Sequence, residues 1–267
     1  MKNRSLSLSR KRNDTDPQIL EEIADFWTYQ LNNEIYLRNH PHVVRGGKEY
    51  FDIILSQRKK YIYYFEIMTR YLKGSPSSQL LEVGCGMGTD TIVFEKNGFN
   101  VTGIDLTPAH ITLAKRLFDI YNARGFFIQG NAEKLPFPDN SFGSVYSFGV
   151  LHHTPKTQTA IKEIHRVLMP KGRAVIMLYN RRSLNNLAHI ITRKGFENVK
   201  LGEDSPVTYR FSKADVMKMC KDFNTCNVKT EYLFGAGWAK IYDYIPRPVF
   251  LILSKLIGWH LVIFAQK

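Results

Sequence analysis

Leu81-Glu82-Val83-Gly84-Cys85-Gly86-Met87-Gly88-Thr89-Asp90 decides how this chain folds. The short apolar run Gln79–Val83 feeds directly into glycines at alternate positions, and a helical pattern follows. Glycine permits φ > 0 and carries no Cβ to hold a ligand off the backbone. The helix behind such a turn opens with free N–H groups. The stretch is therefore a seat for a polar ligand. Its G-x-G-x-G spacing departs from the dinucleotide fingerprint G-x-G-x-x-G, and no Gly-Lys-Ser/Thr follows as a P-loop requires. A ligand without phosphates fits better.

Outward from the loop, short β-branched and apolar runs alternate with helical patterns over residues 79 to 179, the signature of βαβ units and a parallel sheet. The predicted strands are Gln79–Val83, Asn100–Ile104, Gly125–Gln129, Ser144–Ser147 and Arg173–Leu178. Thr107-Pro108 supplies an N-cap and a first-turn proline to a helix whose apolar face is Ile111, Ala114, Leu117, Phe118 and Tyr121. A second helix covers Thr157–Leu168 and stops at Pro170 and Gly172. Asp105 ends the second strand, 21 positions after Gly84, where a carboxylate accepts hydrogen bonds from both hydroxyls of a ribose. Glycine turn and acid together indicate a nucleoside ligand.

With these residues in view, the stretch 79 to 179 resembles the class I methyltransferases that use S-adenosylmethionine (SAM), above all their small-molecule branch. Glu82 to Gly88 matches the first motif, Asp105 the ribose-binding acid, and Gly130-Asn131-Ala132-Glu133 with Leu135-Pro136-Phe137 the third motif. The resemblance implies SAM as cofactor and a doubly wound, Rossmann-like α/β sheet of seven strands, mostly parallel, with Leu261–Gln266 antiparallel. It assigns the cofactor to Glu82, Gly84, Cys85, Gly86, Gly88, Asp105, Leu106, Asn131, Ala132 and Ser147. Two positions depart from the usual pattern, Asn131 and Gly143, where the family has Asp.

The loop Ser147-Phe148-Gly149-Val150-Leu151-His152-His153 follows the fourth strand, at the edge where open α/β sheets bind ligands. His152 and His153 are the candidate catalytic residues, since imidazole titrates near neutrality; a helix-entry loop with bonded histidines is the plainer alternative. Methyl transfer is an in-line displacement, so alignment in a dry pocket is the main task. A small-molecule acceptor, with oxygen the preferred atom, is expected to meet an aromatic helical cap over residues 18 to 73 and an insertion at about 180 to 225. Tyr29, Arg45, Tyr179, Arg181 and Trp238 are the candidate substrate residues, with Trp27, Tyr36, Tyr50, Phe51 and Asn180 near them. Tyr61–Leu72 is predicted to form the helix entering the first strand, and Ser212 with Asp215 a capping box.

The whole chain, 267 residues with 44% hydrophobic content, has the length for a methyltransferase domain over 74 to 267 behind that cap. Residues 1 to 17 read as a disordered basic tail. Three cysteines without ligand spacing suggest neither a disulfide framework nor a metal site, and a cytoplasmic setting fits them. The net charge of +13 keeps a tRNA or rRNA methyltransferase open as a competing function, although no nucleic-acid-binding module is visible. A non-catalytic partner-binding subunit on the same fold is the other competitor. The run Pro248–Ile257 is too short to span a bilayer and is expected at most to touch a membrane surface. Oligomeric state is not legible.

Overall fold

A computed structural model describes residues 17–29, 32–37, 40–193, 195, 197, 204–234 and 244–267. The basic tail, but for Pro17, and Trp238 lie outside them. Seven strands form one sheet: β1 (Gln79–Val83), β2 (Asn100–Asp105), β3 (Gly125–Gln129), β4 (Phe142–Phe148), β5 (Leu168–Tyr179), β6 (Thr225–Glu231) and β7 (His260–Gln266). Their order is β3-β2-β1-β4-β5-β7-β6. The pairs among β1 to β5 are parallel, and β7 runs antiparallel between β5 and β6. This is the predicted doubly wound α/β sheet with its reversed seventh strand.

The described helices are α1 (Pro17–Tyr29), α2 (Lys48–Tyr61), α3 (Phe65–Leu72), α4 (Thr91–Lys96), α5 (Pro108–Ile120), α6 (Thr157–Val167), α7 (Leu184–Thr192), α8 (Lys213–Met219) and α9 (Arg247–Ile257). Strand side chains alternate between faces, so Leu80, Tyr146, Val175 and Phe264 join Met68, Leu72, Phe94, Ala114 and Leu117 on one side of the sheet. Leu81, Val145, Ile176 and Ile263 join Ala160, Ile161, Ile164 and Val216 on the other. Covered on both faces, the central strands read as unbroken apolar runs rather than alternating ones.

Three expectations are corrected. The helix predicted over Tyr61–Leu72 is broken: Tyr61 closes α2, Ile62 leaves the helix at φ −97°, ψ 65°, and α3 starts at Phe65. The break frees Tyr63 and Tyr64 to reach Glu231 and His260 on the far strands. α6 ends at Val167, before Pro170 and Gly172, which fall within β5 beside Lys171 at φ +64°; the β4–β5 register shifts opposite, between Phe142 and Ser144. Thr107 stands at the N-cap of α5, but its hydroxyl makes no cap bond, and the Asp105 carboxylate accepts its N–H instead. The capping box of Ser212 and Asp215 is present at α8. Gly143 departs from the family's Asp for a steric reason: a Cβ there would lie 2.4 Å from the Ser77 carbonyl oxygen.

Candidate active site

The carboxyl ends of the parallel strands carry the site. Gly84, Gly86 and Gly88 all adopt positive φ, at +75°, +53° and +81°. A Cβ at Gly84 would lie 2.2 Å from Val150, so this glycine lets the loop after β4 sit on the loop after β1. A Cβ at Gly86 would meet nothing within 4 Å. That flank of backbone is open and can serve as a cradle.

Asp105 turns toward the cradle from β2. Its Oδ2 accepts the Gly86 N–H at 2.8 Å, and its Oδ1 accepts the Thr107 N–H at 2.9 Å. His110 of α5 lies 3.1 Å from Oδ1, and its other ring nitrogen lies 3.0 Å from the Trp27 carbonyl oxygen. Burial works to raise the Asp105 pKa, but His110 and the two backbone donors outweigh it and hold the carboxyl below its ordinary value. An ionised carboxylate has about four acceptor positions; three are taken, so about one on Oδ2 remains for a ribose hydroxyl. These residues fit SAM. Asn131 is partly committed, its Oδ1 accepting the Glu133 N–H at 2.9 Å. Leu106 and Ala132 are partly exposed beside it.

Two residues assigned to the cofactor are turned inward. Ser147 is fully buried and its hydroxyl donates to the Val83 carbonyl at 2.9 Å. The buried Glu82 carboxyl accepts from the Thr91 hydroxyl, and burial followed by the neighbouring Asp90 pushes its pKa well up. Beneath the loop, Arg58 of α2 grips Asp90 with Nε–Oδ1 at 2.8 Å and Nη2–Oδ2 at 2.5 Å, and the Tyr146 hydroxyl donates to the same Oδ2 at 2.8 Å. This network ties the cap to the start of α4. Cys85 is buried, and its thiol is pushed up by that burial.

Where β4, β5 and β6 end and β7 begins, aromatic rings pack into a buried cluster. His260 stacks on Tyr232 at 4.5 Å, meets Phe148 edge-on at 5.4 Å and hydrogen-bonds the Tyr64 hydroxyl. Tyr179 stacks on Trp259 at 4.2 Å and on His152 at 3.6 Å. Burial pushes His260 well down and Tyr64 well up, leaving an uncharged pair at neutral pH.

The predicted catalytic histidines are walls of this region. His152 is fully buried and neither ring nitrogen makes a hydrogen bond at good geometry. His153 places Nδ1 2.9 Å from the Val207 carbonyl oxygen and Nε2 3.2 Å from Glu197 Oε1, while Trp27 packs on its ring at 4.9 Å. Burial pushes both histidines down, His153 to about 4.

Of the predicted substrate residues that the structure describes, only Tyr179 joins this cluster. Tyr29 is 78% exposed. Arg45 is taken by Glu34 at 2.9 Å, and Arg181 by Asp215. Tyr50, donating to Glu34, and Phe51 belong to the core. Reading along the chain missed Arg58, Tyr64, His110, Glu197, Tyr232 and His260, whose nearest sequence signal is the aromatic richness of the cap.

Residues 81–176 match the family model for a methyltransferase domain. The chain is 36% identical over 108 residues to the 2-methyl-6-phytyl-1,4-hydroquinone methyltransferase of Synechocystis sp., covering 40% of this chain and 34% of that protein. It is 30% identical over 181 residues to the demethylmenaquinone methyltransferase of Chlorobaculum tepidum, covering 66% of this chain and 72% of that protein. A solved SAM-dependent methyltransferase of Methanosarcina mazei superposes with a TM-score of 0.54 at 22% identity, over 75% of this chain and 96% of that one; at that identity the likeness concerns the fold. The chain spans about a third of the length of the Synechocystis relative.

Proposed function

This chain belongs to the SAM-dependent methyltransferase family, and from that premise we propose that it methylates a small aromatic acceptor of the phenol or hydroquinone class. The observation that carries the reading is the aromatic cluster at the strand ends. His260 and Tyr64 offer a neutral hydrogen-bonding pair among the rings of Phe148, Tyr179, Tyr232 and Trp259. Arg45 and Arg181 are spent on Glu34 and Asp215, and Arg58, which lies over Phe148, on Asp90. A hydroxylated ring suits this chemistry, whereas a carboxylate or phosphate would have to compete with Asp90 for that guanidinium. Two relatives named for hydroquinone and demethylmenaquinone methylation support the same class.

Bound at the cradle, SAM supplies a methyl group activated by its sulfonium. Asp105 would hold a ribose hydroxyl, and the backbone at Gly84 and Gly86 the methionyl end. The residues of the cluster would orient the acceptor ring and exclude water, which favours a displacement in which phenolate and sulfonium charges vanish together. The Tyr64–His260 pair would hydrogen-bond the acceptor oxygen. Oxygen is the proposed acceptor atom; an ionised hydroquinone also carries charge on its ring carbons, so product analysis decides between them. His152 and His153 act in this proposal as positioning residues.

Isothermal titration of SAM and S-adenosylhomocysteine into wild type and Asp105→Ala tests the cofactor half. The variant is expected to bind at least about tenfold more weakly, roughly 1.4 kcal/mol, with circular dichroism checking that it folds. Methyl-labelled SAM offered with a series of phenols and hydroquinones tests the acceptor half, with the methylated atom read by NMR. SAM binding without any labelled aromatic product sinks the acceptor class; no SAM binding by the wild type leaves a partner-binding subunit in front.

A further inference from the structure

α7 is built inside out. Its buried residues are Asn185 and Asn186, the latter donating from Nδ2 to the Arg181 carbonyl at 2.8 Å and from its N–H to the Ser183 hydroxyl at 3.1 Å. Leu187, Ile190 and Ile191 stand 52, 61 and 72% exposed. At i, i+3 and i+4 they form one apolar stripe facing away from the protein. α9 turns apolar residues outward as well as inward: Phe250 and Ser254 are buried, yet Val249, Ile252 and Leu256 remain 47, 59 and 69% exposed. Such an outward apolar stripe marks a surface that meets a partner.

The two helices share a buried cluster. Leu184 at the start of α7 packs on the cluster of Leu233, Phe234 and Phe250, which Leu251 and Leu253 of α9 also join. Neither helix contains an Asp or Glu. Arg182, Arg193 and Lys255 lie exposed on or beside them. We propose that α7 and α9 together form a docking surface for an anionic lipid bilayer. The stripes enter the acyl boundary while the bases meet the negative headgroups, each base near the surface adding favourable attraction.

A second copy of the chain is a poorer occupant. An isologous contact presents the same patch from both sides, so two basic patches would meet with no acid in either helix to pair them. No helix among the described residues is long and apolar enough to cross a membrane, so the contact is peripheral. The position is also telling. α7 follows the end of β5 and α9 precedes the start of β7, the two strand ends that carry Tyr179 and His260. Docked this way, the aromatic cluster lies on the bilayer side of the sheet, and an acceptor bearing an apolar tail would approach it from lipid. That last step rests on the acceptor reading; the docking surface does not.

Flotation of the full chain with phosphatidylglycerol–phosphatidylcholine vesicles, against phosphatidylcholine alone, tests the surface without using catalysis. The wild type is expected to float with the anionic vesicles and to be released by salt. Ile190→Ser with Ile191→Ser, and Ile252→Ser with Leu256→Ser, should each weaken vesicle binding on the order of tenfold or more. Arg193→Glu with Lys255→Glu should do the same while leaving apolar packing untouched. SAM affinity and the unfolding midpoint should hold in all variants. Three results overturn the proposal: no flotation of the wild type, unchanged flotation of the variants, or a lipid-free dimer by light scattering that the Ser variants dissociate. Intact SAM binding with no flotation strikes the docking surface alone.

Discussion

Arg58→Ala is expected to destabilise the fold by about 3–5 kcal/mol, the largest effect of any single change at the site. Arg58 and Asp90 are mostly buried, their side chains 16% and 5% exposed, and the guanidinium meets the carboxylate through two hydrogen bonds at 2.8 and 2.5 Å. Such a pair adds little over a well-packed apolar substitute, because desolvation offsets the attraction. Removing one member is different, since it strands the other charge in the interior. In Arg58→Ala the Asp90 carboxylate would keep only the Tyr146 hydroxyl. The alanine also abandons the face of Phe148, over which the guanidinium lies 4.7 Å from the ring centroid.

Urea unfolding reads this as a lower midpoint at unchanged slope. The double change Arg58→Ala with Asp90→Ala should cost clearly less than the two single losses added together, because it leaves no orphaned charge. Additive losses, or an Arg58→Ala cost under about 1 kcal/mol, the range of an exposed ion pair, would mean that the pair does not hold α2 to the glycine loop.

What the sequence made legible, and what it did not, follows from distance along the chain. The cofactor half is local: Gly84 to Gly88 and Asp105 lie on two successive strands, and strand–turn–helix chemistry is written in neighbouring residues. The acceptor half is assembled from afar. Tyr64 and His260 are 196 positions apart, and they meet only because β7 returns antiparallel beside β5 and starts where β5 ends. No periodicity announces such a pairing. Arg45 and Arg181 invited a substrate role because an arginine in a cap looks free in a linear reading, while the carboxylates that occupy them, Glu34 and Asp215, become visible only once the helices pack. The break at Ile62 was hidden for the same reason: the residues of α2 and α3 all suit a helix, and tertiary pull on Tyr63 and Tyr64 overrides that propensity.

The pair of Glu197 and His153 yields the second large effect, one that pH reveals. Burial, then the neighbouring Asp204, pushes the Glu197 carboxyl up to about 8, while burial pushes His153 down to about 4. Both shifts describe one arrangement. The His153 Nδ1–H points to the Val207 carbonyl, and Nε2 is left bare toward Glu197 Oε1, 3.2 Å away. The two atoms face each other without a hydrogen bond of good geometry, and the other Glu197 oxygen accepts the Ser205 N–H at 2.5 Å. The neutral acid and neutral imidazole are thus what the fold stabilises.

The sign follows from proton counting. Between pH 4.5 and about 8 the unfolded chain has released the Glu197 proton and the folded chain has kept it, so this group makes stability fall as pH rises. His153 acts oppositely between about 4 and 6.5, where the unfolded chain binds the proton and the fold excludes it. The two slopes cancel until pH 6.5, above which Glu197 acts alone. From there to pH 8 the wild type should lose about 2 kcal/mol relative to Glu197→Gln, at 1.36 kcal/mol per pH unit, and then level off. Urea midpoints of both proteins across that window measure it, and the subtraction removes every group the two share. Parallel profiles from pH 6.5 to 8 would show that Glu197 is already ionised against His153, and the neutral pair would have to be abandoned.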